Sequence, residues 1–165
     1  RAKLAALCRR GAAPLAALLL VLIYAQSFFT LIPFGRKDPV ARLLAYNMED
    51  VVNDLDKIAA RDNAHVILTS DYATTAWLKF YAPEKPILPV GEDSRWGFAP
   101  PSPLLREPFL YVTETRRDAH ALVQSKFRHV EKIAALSRKR KDVPITHYTV
   151  YRVSGARGEL ILPRP

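Results

Sequence analysis

A single cysteine, Cys8, stands in 165 residues, which excludes a disulfide framework and leaves no CxxC or His/Cys cluster to hold a metal. Glycine is scarce as well. The six present form neither a GxGxxG turn nor a P-loop, so no nucleotide-binding loop is encoded. Ser70 is not set in a GxSxG elbow, and no Ser, His and Asp share a triad-like spacing, so no catalytic residue is assigned. His65, His120, His129 and His147 lack HxxxH or HExxH spacing. They read as packing or surface residues; no metal ligand and no cofactor is expected. Acidic residues are missing altogether from the first 35 positions, which hold Arg1, Lys3, Arg9 and Arg10. The chain therefore has two parts suited to different solvents, and its length allows at most one full-sized core beside an appendage.

What fills the first part is apolar. Gly11–Phe34 carries no charged side chain for 24 residues, enough at about 1.5 Å per residue to cross a hydrocarbon core of about 30 Å. A transmembrane helix is expected over 11–34, behind a cytoplasmic basic flank at 1–10, with Pro14 and Pro33 near its ends. A cleaved signal peptide is the rival, but its apolar region spans only about 7–15 residues, and here the run continues through Phe28, Phe29, Leu31 and Ile32. The basic flank orients the N-terminus inward and leaves 35–165 outside the cytoplasm. Gln26 and Ser27 interrupt the run in a way that neighbouring helices would tolerate. The chain begins at Arg1 instead of Met, so it reads as a piece of a longer, polytopic parent.

Beyond residue 35, 21 basic residues face 16 acidic ones. That balance attracts phosphates or anionic headgroups without forming the dense stripe of a nucleic-acid binder, and nucleic acid is not expected as a partner. Arg36–Pro39 reads as an exit linker and Val40–Tyr46 as a helical turn. Asn47 is placed to cap an amphipathic helix over Met48–Arg61. His65–Thr69 reads as a buried strand, and Asp71 caps a helix that ends at Pro83 and buries Ala73, Ala76, Trp77, Phe80 and Tyr81. Pro86–Val90 completes a βαβ unit. Phe109–Thr113 is a further strand, and Asp118 caps a helix burying Ala119, Leu122, Val123 and Phe127. Val130–Leu136 and Ile145–Val153 pair as antiparallel strands around the basic turn SRKRKDVP. The expected fold is α/β: one N-terminal transmembrane helix, then a small three-layer domain with a mixed sheet and a C-terminal hairpin.

Four residues are candidates for substrate binding. Asp71 and its neighbour Tyr72 follow a strand, where α/β folds place ligand-contacting side chains, although helix capping alone accounts for Asp71. Arg95 and Trp96 lie in the proline-rich segment Gly91–Pro108, where a guanidinium can grip a phosphate while the ring covers a sugar or lipid face. Alternatively, Trp96 plugs the core beneath the loop. Arg138-Lys139-Arg140-Lys141 reads either as a solvated hairpin turn or as a contact for anionic headgroups.

The succession of a hydrophobic span, an amphipathic helix, ILTSDYATTAWLKFYAP (Ile67–Pro83), SRWGF (Ser94–Phe98), LYVTE (Leu110–Glu114) and YTVYRVSG (Tyr148–Gly155) resembles the C-terminal region of bacterial polytopic family 39-like glycosyltransferases, related to protein mannosyltransferases and aminoarabinose transferases. The resemblance implies a multi-pass inner-membrane enzyme of the cell envelope. Such an enzyme transfers a sugar from a polyprenyl-phosphate carrier to an acceptor at the periplasmic face. Its partners would be the lipid bilayer, the carrier-linked sugar and the parent's other transmembrane helices. The catalytic acid of that family lies in an early extracytoplasmic loop, so none is carried over to this chain. A non-enzymatic, single-pass periplasmic interaction domain is the alternative.

Overall fold

The computed structural model describes residues 2–32, 34–90 and 107–157, apart from the side chains of residues 2–7, 9 and 36. Helix α1 runs over Ala2–Phe29, and its Arg10–Phe29 stretch is long and apolar enough to cross a membrane by length and composition. Two expectations shift here. Pro14 sits inside the helix, because helical backbone extends back into the basic flank. The helix also stops at Phe29 and does not continue to Phe34. Thr30 takes φ +53, and the Gln26 side chain brackets the turn by accepting from the Ile32 N–H (2.9 Å) and donating to the Ile32 carbonyl (2.8 Å).

Arg36–Pro39 is not a loose linker. A 3-10 turn over Gly35–Lys37 leads to Asp38, whose carboxylate accepts from the amides of Val40 (3.0 Å) and Ala41 (3.1 Å) to cap α2 (Pro39–Leu43). Helix α3 (Met48–Arg61) follows and buries Met48, Val51, Val52 and Leu55. Asn47 precedes it in a left-handed conformation and makes no side-chain cap bond. Strands β1 (Val66–Thr69), β2 (Ile87–Pro89), β3 (Phe109–Glu114), β4 (Phe127–Arg140) and β5 (Val143–Ala156) form one sheet in the order β2-β1-β3-β5-β4. β1 lies parallel to β2 and β3, and β5 lies antiparallel to β3 and β4. The sheet is mixed, as expected, and the hairpin strands are longer than their apolar stretches.

Alternation along the strands splits the core into two layers. Ile67, Ile87, Leu110, Val112, Tyr148 and Val150 pack with α3 and with Leu78 of α4 (Tyr72–Tyr81). Val66, Leu68, Phe109, Tyr111, Phe127 and Val153 pack on the opposite face with Val123 of α5 (His120–Lys126). Helix α4 keeps Trp77 and Tyr81 of the expected face half-buried against the core, but its most deeply buried positions are shifted and Phe80 is left outside. Thr74, Thr75 and Leu78 are buried, whereas Phe80 is 77% exposed. The cause is polar satisfaction at close range: the Thr75 hydroxyl meets Thr69 Oγ1 at 2.6 Å and donates to the Asp71 carbonyl at 2.7 Å, so two small threonines let the helix approach the sheet. Asp118 does not cap α5. Ala119 holds that position, Leu122 stays exposed, and Asp118 instead accepts from the Tyr151 hydroxyl.

Burial carries a pH consequence at Tyr148, which is fully enclosed. Burial pushes its phenol up to about 12, the nearby Arg138 charge opposes the rise, and Glu114 and Asp71 reinforce it. A raised phenol pKa means that folding favours the neutral form. That contribution is intact below the ordinary value of 10.0 and is lost as pH climbs through about 12. Across that window stability is expected to fall by roughly 3 kcal/mol from this group. Denaturant midpoints measured from pH 9 upward check it, and Tyr148→Phe is expected to flatten the alkaline limb.

Candidate functional site

The parallel strands end at Thr69 and Glu114, and at this carboxyl edge the side chains that follow them meet the segment leaving α1. The junction is built by the hairpin tip. On β4, Arg138 and Arg140 point inward while Lys139 between them is exposed, as a strand's two-residue period requires. The solvated-turn and headgroup readings therefore fail for the two arginines: Arg138 is 1% exposed and Arg140 5%. Their charges are held by backbone and by one carboxylate. Arg140 donates to Asp38 Oδ2 (3.2 Å) and to the carbonyls of Gln26 (3.2 Å) and Ser27 (2.5 Å), with the Tyr46 ring 4.5 Å from its guanidinium. It thereby adds a donor to two carbonyls in the last turn of α1, at the negative pole of that helix, where the Gln26 carbonyl also accepts from the Thr30 amide at 3.1 Å.

Arg138 reaches the next helix in the same way. Its guanidinium donates to the carbonyls of Ala41 (3.0 Å), Tyr46 (3.1 Å) and Arg42 (3.2 Å), and to Thr146 Oγ1 (3.4 Å). Trp77 stacks 5.1 Å away. Among the described residues no carboxylate pairs with it. The positive charge is offset only by dipoles, so its field extends into the adjoining space.

That space is a cleft of about 380 Å³ between α2, the first turns of α4, the end of β3 and the hairpin. Lys37, Arg42, Arg116, Arg117 and Arg138 contribute five cations to its lining against one carboxylate, Glu114. Glu114 is shared among Arg116, Arg117 (3.7 Å) and Arg42 (3.9 Å). One negative charge cannot neutralise three guanidiniums, so the cleft is built to attract an anion, and arginine forks suit the oxygens of a phosphate. The apolar part of the wall comes from Trp77, Ala73 and Leu43.

The residues picked from sequence fall partly beside this cleft. Asp71 caps α4 by accepting from the Thr74 amide at 2.9 Å, while its Oδ2 is buried with no hydrogen-bond partner. Tyr72 begins the helix and is exposed. Neither lines the cleft, although Ala73, the next residue, does. Arg95 and Trp96 lie outside the described residues, as does most of the Gly91–Pro108 segment. The clustering of Lys37, Arg42, Arg116 and Arg117 escaped the sequence reading because they come from two stretches more than 70 positions apart. Arg138 and Arg140 had a visible signal in the alternation of RKRK after an apolar strand. Among the described residues, no three of His, Cys, Asp or Glu converge to hold a metal ion. Comparison with protein-family models, with curated proteins and with solved structures gives no match.

Proposed function

We propose that this chain is the last transmembrane helix and the periplasmic α/β domain of a lipid-carrier-dependent glycosyltransferase of a bacterial inner membrane. One observation carries the reading: a cleft with four more cations than carboxylates opens at the carboxyl edge of the sheet, walled in part by the segment that follows a helix long enough to span a bilayer. A sugar carried on a polyprenyl phosphate presents its phosphate at the membrane surface, where Arg116, Arg117, Arg42 and Lys37 would orient it. Trp77 adds an aromatic face of the kind that covers apolar or sugar surfaces. The domain is assigned positioning of carrier or acceptor, with bond-making groups supplied by the parent.

The test uses membranes carrying the full-length parent and a radiolabelled polyprenyl-phosphate sugar. Sugar transfer above that of membranes lacking the protein is expected. Arg116→Gln/Arg117→Gln should reduce it about tenfold, the scale of one lost charge-assisted hydrogen bond. A reporter fused after Pro165 should be active only when exported. No transfer with any carrier, together with correct export, would sink the enzyme reading in favour of an anchored interaction domain. The single membrane-spanning candidate among the described residues favours that second reading.

A further inference from the structure

A second cleft, of about 410 Å³, lies where α1 ends and includes the Arg140–Asp38 pair in its lining. Its lining divides by chemistry. Leu31, Val143 and Ile145 provide an apolar wall, of which Leu31 and Val143 remain substantially exposed, and Thr30, Arg140 and Lys141 provide the polar side. Arg140 and Asp38 cancel each other's charge within the cleft. Lys141 is left as the uncompensated cation: among the described residues it forms no ion pair, and its ammonium donates only to the Phe29 carbonyl at 3.4 Å. Asp142, next in the turn, is not part of the lining. The Thr30 hydroxyl and Arg140 Nε are both buried there without a hydrogen-bond partner.

The contact between Lys141 and Phe29 fixes the depth of this cleft at the last residue of the apolar helix. With α1 in a bilayer, that level is the boundary between acyl chains and headgroups. The geometry points to a binding site for one anionic phospholipid, its phosphate on Lys141 and the upper part of its chains along Leu31 and Val143. Size, amphipathic division and a net single positive charge all fit a phosphodiester headgroup. The apolar wall also adjoins the exposed apolar end of α1, since Phe28, Phe29, Leu31 and Ile32 are exposed on either side of Thr30. The inference requires that α1 spans a membrane and is independent of the glycosyltransferase reading.

The full chain, purified in a non-ionic detergent, is titrated with phosphatidylglycerol or phosphatidylcholine, and bound lipid is counted by native mass spectrometry. One phosphatidylglycerol should be retained in preference to phosphatidylcholine. Lys141→Gln should weaken it about fivefold, the worth of one basic residue near an anionic surface. Val143→Asp, at a position 43% exposed, should weaken it at least as much, with a thermal melt checking that the variant is folded. Equal retention of both lipids, or wild-type retention by both variants, overturns the site. So does competition by soluble glycerol 3-phosphate, which would assign the cation to a free phosphate. A dimer that excludes lipid would also overturn it, by giving the apolar wall to a second copy.

Discussion

Arg140→Ala is expected to destabilise the full chain by about 3–5 kcal/mol, the usual cost of removing one partner from a buried ion pair. The substitution removes the cation paired with Asp38, which is 2% exposed and keeps only amide donors, and leaves the Gln26 and Ser27 carbonyls without their guanidinium donor. Asp38 would still cap α2, so the loss should concentrate where α1 meets the hairpin. Hydrogen exchange ought to accelerate first at residues 26–32 and at the tip of β4 and β5. Lys139→Ala, one position away and exposed, should change stability by less than about 0.5 kcal/mol. Denaturant titrations of both variants in detergent check the contrast. Equal effects from the two, or an Arg140→Ala midpoint matching wild type, would mean that the guanidinium holds nothing in place.

Phe109→Ala should cost about 3–5 kcal/mol, through lost burial and the cavity left behind. Its ring is 1% exposed and meets Phe127 edge to face at 5.9 Å, in the layer that α5 covers. Phe80→Ala, on the open face of α4, is expected to fall within about 0.5 kcal/mol of wild type. Thermal or chemical unfolding of the two variants separates these cases. A large loss from Phe80→Ala would restore the apolar stripe of α4 as its buried face.

Phe80 also illustrates what a sequence can and cannot disclose in this chain. The span and buried face of α3 were legible, though not the missing Asn47 cap, because its apolar residues recur at helical spacing and nothing polar competes with them for the core. Strands β1 and β3 were legible as uninterrupted apolar runs, which is how buried parallel strands read. Helix α4 misleads at Phe80, though not at Trp77 and Tyr81, because Thr75 finds partners in Thr69 and in its own helix and takes a buried position that its polarity does not signal. Asp71 kept its capping role, yet the cleft formed from residues nobody could pair by spacing alone. Arg42 arrives from α2, and Arg116 and Arg117 from the 3-10 turn after β3. Only the parallel pairing of β1 with β3 and the antiparallel return of β5 bring those segments to one edge.

The long hairpin has one more consequence, as a ruler. Its tip touches the last turn of α1 through Lys141, and Thr146, on the wall of the cationic cleft, lies three residues beyond Val143 along β5. At about 3.3 Å per residue, that strand can raise the cleft no more than about 10 Å above the tip. Headgroups occupy roughly the first 5–7 Å outside the hydrocarbon on each side. On the proposed reading, with α1 in a bilayer, the cleft would lie within a few ångströms of the headgroup region, close enough for the charged end of a membrane-held ligand. Lengthening β4 and β5 by a pair of residues each between the tip and the Arg138–Thr146 pair would move that pair about 7 Å farther from the tip.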